Sequence, residues 1–294
     1  MIPRPAALLA LAAATLAAAA WAQTPQTMPA PQSSAATAPA HPGEMVTFKS
    51  ADHDISAYLV APKDNPNPGC IVLVHDIFGM TDFTKTEADT FSKLGYTVLA
   101  PNLYSRIDGA ADGLDASHAA AAYKATPDQQ ILADIHASIE YLNAEGKSTA
   151  GQPLALVGID MGGTYAMMAA GLELRATCAV NFYGRLLYTE ITPQRPNSPV
   201  EQVFNLDVPL LAFYGTLDPQ VPPDHVKMLE NRLANNPNKT YYQVVKLPGV
   251  GHGFLDPSRS GYNPQAAKQA MDQTQTFLKR YLQAPKKDDT GTGV

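Results

Sequence analysis

Residues 156–163 read Leu-Val-Gly-Ile-Asp-Met-Gly-Gly, and the apolar run Leu154-Ala155-Leu156-Val157 leads into them. This is the frame of a strand, a sharp turn and a helix, in which the turn lifts one side chain above a sheet. Gly158 and Gly162 suit a turn too crowded for a Cβ. The lifted residue is Asp160, where a serine or cysteine nucleophile is expected. An aspartate there does different chemistry or none, so the other titratable groups must decide.

Two more acid–base groups stand just past apolar runs. Asp218 follows Leu210-Leu-Ala-Phe-Tyr-Gly-Thr-Leu217, and His252 lies in Gly249-Val-Gly-His-Gly-Phe254 after Val244-Val-Lys-Leu247. An acid so placed orients an imidazole and stabilises its charged form, while the imidazole relays protons. Taken alone, Asp218 before Pro219 is equally a turn residue, and His252 is a loop histidine. Their order along the chain (elbow, acid, histidine) and their shared position past strands point to one site. His41, His53, His75, His118, His136 and His225 show no metal-ligand spacing, so no metal or other cofactor is expected. The segment His75-Asp76-Ile77-Phe78-Gly79 follows another apolar run. Its Ile77 N–H, with the Met161 N–H after Asp160, would form an oxyanion hole. Asp76 lies too far upstream to cap a helix starting near Thr81 and is assigned with Phe78 to the pocket.

Such a site needs a sheet to hold it. Strand candidates are Met45–Phe48, Ser56–Val60, Ile71–Val74, Thr97–Ala100, Leu154–Val157, Ala179–Phe182, Leu210–Phe213 and Tyr241–Lys246. The middle ones are near-continuous apolar runs, as in parallel strands covered on both faces. Ile131, Ile135, Ile139 and Leu142 recur at helical spacing after Pro127-Asp128, and residues from Met271 to Leu282 mark an amphipathic final helix. Alternation of the two element types predicts an α/β fold, with a mostly parallel twisted sheet of about eight strands and helices on both faces. The functional groups should lie beyond the carboxyl ends of the strands.

The chain has 294 residues, enough for one domain with a full core. Its net charge of −6 argues against a nucleic-acid partner held through phosphates. Arg4, the apolar stretch Ala6–Ala20 and Ala20-Trp21-Ala22 predict a signal peptide over 1–22, cut before Gln23. The expected location is periplasmic or secreted, with no membrane attachment after cleavage. Residues 23–43 form a Pro/Ala/Ser-rich linker, 44–284 the folded domain and 285–294 a disordered tail. Cys70 and Cys178 each begin a β-branched apolar run and are expected as buried strand residues. The expected partner is a small-molecule substrate, and the expected state a monomer.

From about residue 45 to 282 the chain resembles the dienelactone hydrolase (carboxymethylenebutenolidase) family of α/β-hydrolases. The matching pieces are Val74-His-Asp-Ile-Phe-Gly79, Ala100-Pro-Asn-Leu-Tyr-Ser-Arg106, Ala122-Tyr-Lys124, the elbow, Tyr214-Gly-Thr-Leu-Asp218 and His252-Gly-Phe254. The resemblance implies an α/β-hydrolase fold without a large cap and a Cys–Asp–His triad acting on cyclic enol esters. Asp218 and His252 match its acid and base, and Tyr123 matches a tyrosine lining its pocket. The family cysteine is Asp160 here, and its glutamate after the third strand is the shorter Asp76. The arginines that hold the substrate carboxylate fall at Ala119 and Asp256, leaving Arg106 or Arg259 as replacements. The implied strand order places Leu154–Val157 between the strands starting at Cys70 and Cys178, which separates the thiols by about 9–10 Å. That is beyond disulfide reach.

Three functions follow. The first is a secreted hydrolase of small ester- or lactone-type substrates, with Asp160 as an altered nucleophile or as a general base on water. The second is a catalytically impaired relative that binds a small ligand in the same pocket. In the third, Asp160 attacks a saturated carbon, as in haloalkane dehalogenases and epoxide hydrolases of the same fold. Those enzymes carry a helical cap and a tryptophan after the aspartate. Here Met161 follows, and residues 184–208 are too few for a full cap.

Overall fold

The computed structural model of the chain describes residues 41–63, 69–172 and 175–282. The expected signal peptide, residues 23–40 of the expected linker and the tail lie outside the described residues. Among these residues eight strands form one sheet: β1 (Glu44–Ser50), β2 (His53–Val60), β3 (Cys70–Val74), β4 (Thr97–Pro101), β5 (Leu154–Ile159), β6 (Ala176–Phe182), β7 (Leu210–Gly215) and β8 (Tyr242–Leu247). Their order is β1-β2-β4-β3-β5-β6-β7-β8. The β1–β2 and β2–β4 pairs are antiparallel and the others parallel. Each strand expected from the sequence is present, most of them longer than expected.

Residues of β3 and β5 are buried throughout, which is why their sequences are unbroken apolar runs rather than alternating ones. Among the described residues six α-helices accompany the sheet: α1 (Asp82–Lys93), α2 (Ala116–Ala125), α3 (Asp128–Asn143), α4 (Met161–Ala170), α5 (Pro223–Ala234) and α6 (Pro264–Tyr281). All ten residues of α4 are buried, so it carries no polar face. Ile131, Ile135, Ile139 and Leu142 of α3 form the expected buried stripe. Thr81 caps α1 by accepting from the Thr84 N–H, and Asn263 caps α6 by accepting from the Ala266 N–H.

Cys70 and Cys178 are free and buried, and β5 lies between their strands. Between β6 and β7 the chain forms only a 3-10 helix, Pro199–Asn205, and no cap domain. No helix among the described residues is long and apolar enough to cross a membrane.

Candidate active site

The strand-to-helix turn between β5 and α4 holds Asp160 at φ 54° and ψ −116°. A non-glycine residue held there costs on the order of 1–3 kcal/mol, which the surrounding packing must supply. The packing is tight on both sides. A Cβ added at Gly158 would lie 2.0 Å from the Gly162 carbonyl oxygen, and one at Gly162 would lie 2.0 Å from that of Val74. Glycine at both positions lets α4 pack directly against β3 and β5, with Asp160 in the turn between β5 and α4.

β7 and β8 deliver the partners. Asp218 is buried past β7, where its Oδ1 accepts from the Gln220 N–H at 2.7 Å and the Val221 N–H at 3.2 Å. Its Oδ2 is 2.7 Å from His252 Nδ1. On the other side of the imidazole, Nε2 is 3.0 Å from Asp160 Oδ1. The Tyr183 ring stands edge-on to His252 with centroids 5.1 Å apart. The three expected groups therefore meet in one hydrogen-bonded line.

The second Asp160 oxygen settles against a further donor. Oδ2 accepts from the Ile77 N–H at 3.4 Å, a long bond. Met161 is the first residue of α4, so its N–H has no acceptor within that helix. The Asp160 carboxylate thus spans from the histidine to one donor of the expected oxyanion hole.

Charge in this line is redistributed. Burial would lower the His252 pKa, but the hydrogen bonds and charges of Asp160 and Asp218 outweigh it and raise it to about 9. That shift favours the protonated imidazole at neutral pH. Asp76 is raised to about 7, first by burial and then by the Asp160 charge, against the lowering effects of the Phe78 N–H and Arg259. Its Oδ1 accepts from the Phe78 N–H at 2.8 Å, closing a local turn rather than capping α1.

These groups open into a pocket of about 260 Å³. Asp76, Ile77, Phe78, Tyr123, Asp160, Met161 and His252 line it. Arg106 is not among the lining residues. Its guanidinium is bound to the fully buried Asp134 of α3 at 2.5 and 2.8 Å, a bidentate pair that commits it to the fold. Arg259 does reach the pocket, 3.4 Å above the centre of the Phe78 ring, with its Nε 3.2 Å from Asp256. Tyr183, Arg185 and Gln220 were not expected from the sequence. All three line the pocket, and the Arg185 guanidinium donates to Gln220 Oε1 at 2.8 Å. Tyr183-Gly184-Arg185 directly follows β6, so the rule that located Asp218 would also have found the tyrosine and the arginine.

Among the described residues, no group of three His, Cys, Asp or Glu could hold a metal ion. The parallel sheet, the strained elbow and a histidine joined to an acid past later strands define the protein class as an α/β-hydrolase. The model of the dienelactone hydrolase family matches residues 55–282, and the chain belongs to that family. A Yersinia pestis protein named as a carboxymethylenebutenolidase is 29% identical over 231 residues, covering 78% of this chain and 84% of the relative. A Bradyrhizobium protein named as a 2-oxo-3-(5-oxofuran-2-ylidene)propanoate lactonase is 27% identical, covering 77% of this chain and 89% of the relative. Among solved structures, a Klebsiella pneumoniae protein named as a dienelactone hydrolase superposes with a TM-score of 0.73 at 24% identity, over 81% of this chain and 98% of the other. At that identity the likeness shows the fold.

Proposed function

We propose that the protein is an exported hydrolase of small ester- or lactone-type substrates, in which Asp160 acts as a general base on water. The observation that carries this reading is the line Asp218–His252–Asp160, closed at 2.7 and 3.0 Å at one end of a pocket. Direct attack by Asp160 on an ester carbonyl would form an anhydride, a far less favourable intermediate than the acyl-enzyme of a cysteine. Activation of water avoids it. The Asp160 carboxylate takes a proton as the water oxygen bonds to the substrate carbonyl carbon, and the carbonyl becomes an oxyanion. When that intermediate collapses, the leaving alkoxide takes a proton from the His252 imidazolium. The proton on Asp160 then returns to His252 Nε2 across their hydrogen bond, and the site is restored. The oxyanion enters between the Ile77 and Met161 N–H groups by displacing Asp160 Oδ2. The 3.4 Å contact it replaces is weak.

A second reading rests on that same contact. If Asp160 attacks a saturated carbon, the other oxygen of the resulting alkyl ester already faces the Ile77 donor. Water would then cleave the ester at the Asp160 carboxyl carbon.

A single-turnover reaction in heavy-oxygen water separates the two. General-base catalysis places the label only in the released acid, whereas covalent attack places it in the Asp160 side chain after cleavage. Mass spectrometry of the active-site peptide is expected to show no label, and label at Asp160 would overturn general-base action. Saturable binding of esters, lactones and alkyl halides without turnover would establish a binding protein instead. Export rests on the leader-like sequence of residues 1–22, and the mass of the exported protein tests it by showing whether the chain starts at Gln23.

A further inference from the structure

A larger cleft, of about 610 Å³, lies between α1, the loop 255–262 and α6. It shares only Asp256 and Arg259 with the active-site pocket, so the two cavities lie on opposite sides of that ion pair. Phe83 and Tyr262 give it aromatic walls, and Leu255 and Met271 give it an apolar lining. Glu87 also lines it, and Glu87 Oε2 is buried without a hydrogen-bond partner. A buried carboxyl oxygen with nothing to accept from is costly, and native structures rarely leave one so. It marks a place where a donor belongs.

The charges around the cleft identify the donor. Each cation at the cleft is already engaged by an acid: Lys268 Nζ is 2.6 Å from Asp272, and Arg259 Nε is 3.2 Å from Asp256. Among the described residues, Asp82 has only His41 Nε2, at 3.8 Å, and Glu87 Oε2 has no hydrogen-bond partner. The charge left over is therefore acidic. Burial and the nearby Asp256 charge push the Glu87 carboxyl up to about 7, and an entering cation would draw it back towards the ionised form. Aromatic faces beside an unpaired carboxylate favour a cationic head, because ring quadrupoles and carboxylate attract it together.

We infer that the cleft between α1 and α6 is a binding site for a small organic ammonium ion with an apolar body, its head donating to Glu87 and its body packed between Phe83, Tyr262 and Met271. The site is separate from Asp160, and it stands whether or not the reaction proposed above is correct.

Calorimetric titration of the whole protein with 2-phenylethylammonium tests this. The expected result is saturable binding at one site, weakened about tenfold or more by Glu87→Gln and several-fold by Tyr262→Ala. The uncharged isostere 2-phenylethanol should bind about tenfold more weakly, as loss of one charge-assisted contact implies. Asp160→Asn should leave the affinity unchanged, which places the site outside the catalytic pocket. Absence of saturable binding, equal affinity for the alcohol, or loss of binding in Asp160→Asn would each overturn the inference. So would unchanged affinity in Glu87→Gln. If that variant does not fold, Tyr262→Ala decides alone, because Tyr262 is 38% exposed and lies outside the buried core; unchanged affinity there overturns the inference.

Discussion

Two clusters of charge stand at the catalytic pocket, one behind its wall and one inside it, and they differ in how their acids are engaged. In the first, Asp128 accepts from the Tyr165 hydroxyl at 2.6 Å and the Tyr188 hydroxyl at 3.1 Å, and the Arg195 guanidinium lies 3.6 Å away. Arg195 also donates to the backbone carbonyls of Tyr123 and Thr126 and stacks 4.1 Å from the centre of the Tyr123 ring. That cluster is closed to solvent, with only the Arg195 Nε left without a hydrogen bond, and it braces the wall that carries Tyr123. In the second, Asp160 has a left-handed backbone, one long contact to Ile77 and a face open to the pocket. Burial alone does not distinguish a structural acid from a reactive one. Unclaimed hydrogen-bonding capacity at an accessible, strained position does.

The contrast predicts that the clusters fail in different ways. Asp160→Asn should lower turnover of a small aryl ester by about 10²–10⁴-fold, the usual range for losing an acid–base group. Its urea midpoint should fall only modestly, because the amide keeps the shape of the carboxylate and loses only the partly exposed ion pair with His252. Asp128→Ala should do the reverse. It leaves Arg195, 8% exposed, without its acid, and breaking a buried pair costs about 3–5 kcal/mol. Urea unfolding should show that loss, while turnover per folded molecule stays within a few-fold of the wild type. Equal effects of both variants on turnover would erase the distinction.

Proton affinity sharpens it further. The folded-state pKa of His252 is raised from 6.5 to about 9, so its ion pairs contribute their full stability below pH 6.5. That contribution is lost as pH rises through about 9. Turnover that uses the imidazolium as an acid should fall over the same upper limb. In Asp218→Asn one of the two carboxylates is gone, and the His252 transition followed by NMR should move to lower pH. An unmoved transition would mean that Asp218 only positions the ring.

Parts of this arrangement were visible in the chain itself. The central strands show as apolar runs because both faces of a parallel sheet are covered, and the elbow shows because two backbone approaches exclude any Cβ at Gly158 and Gly162. Asp218 and His252 stand out because each lies a few residues past an apolar strand. Arg106 was misplaced for the opposite reason. Its partner Asp134 is 28 residues away, inside a helix whose neighbouring residues are apolar, and no local pattern announces the pair. The Asp128 cluster joins residues 37 and 60 positions apart and is equally silent. Partnerships between side chains on separate elements exist only once the sheet order is fixed, and spacing within one segment cannot encode them.

The smallest expected effect is the most pointed. Asp160→Cys exchanges a carboxylate that reaches the Ile77 N–H for a shorter thiol that does not. The oxyanion donors at Ile77 and Met161 are then free for substrate, and each such donor is typically worth about 10²–10³ in rate. The thiol also lies beside His252, which favours the thiolate when protonated. Against these gains stands a site shaped around the longer side chain, with no repacking to bring the sulfur to its best position. Esterase activity on small aryl esters is therefore expected to exceed that of the wild type by about tenfold, well short of the full value of the freed donors. A burst of product equal to the enzyme concentration should accompany it, since a cysteine forms an acyl-enzyme where the carboxylate forms none. If the variant is instead less active than the wild type and shows no burst, Asp160 is not standing in for a covalent nucleophile. The pocket would then be adapted to the carboxylate itself, and the difference between the two charge clusters would lie in ligand recognition rather than in acyl transfer.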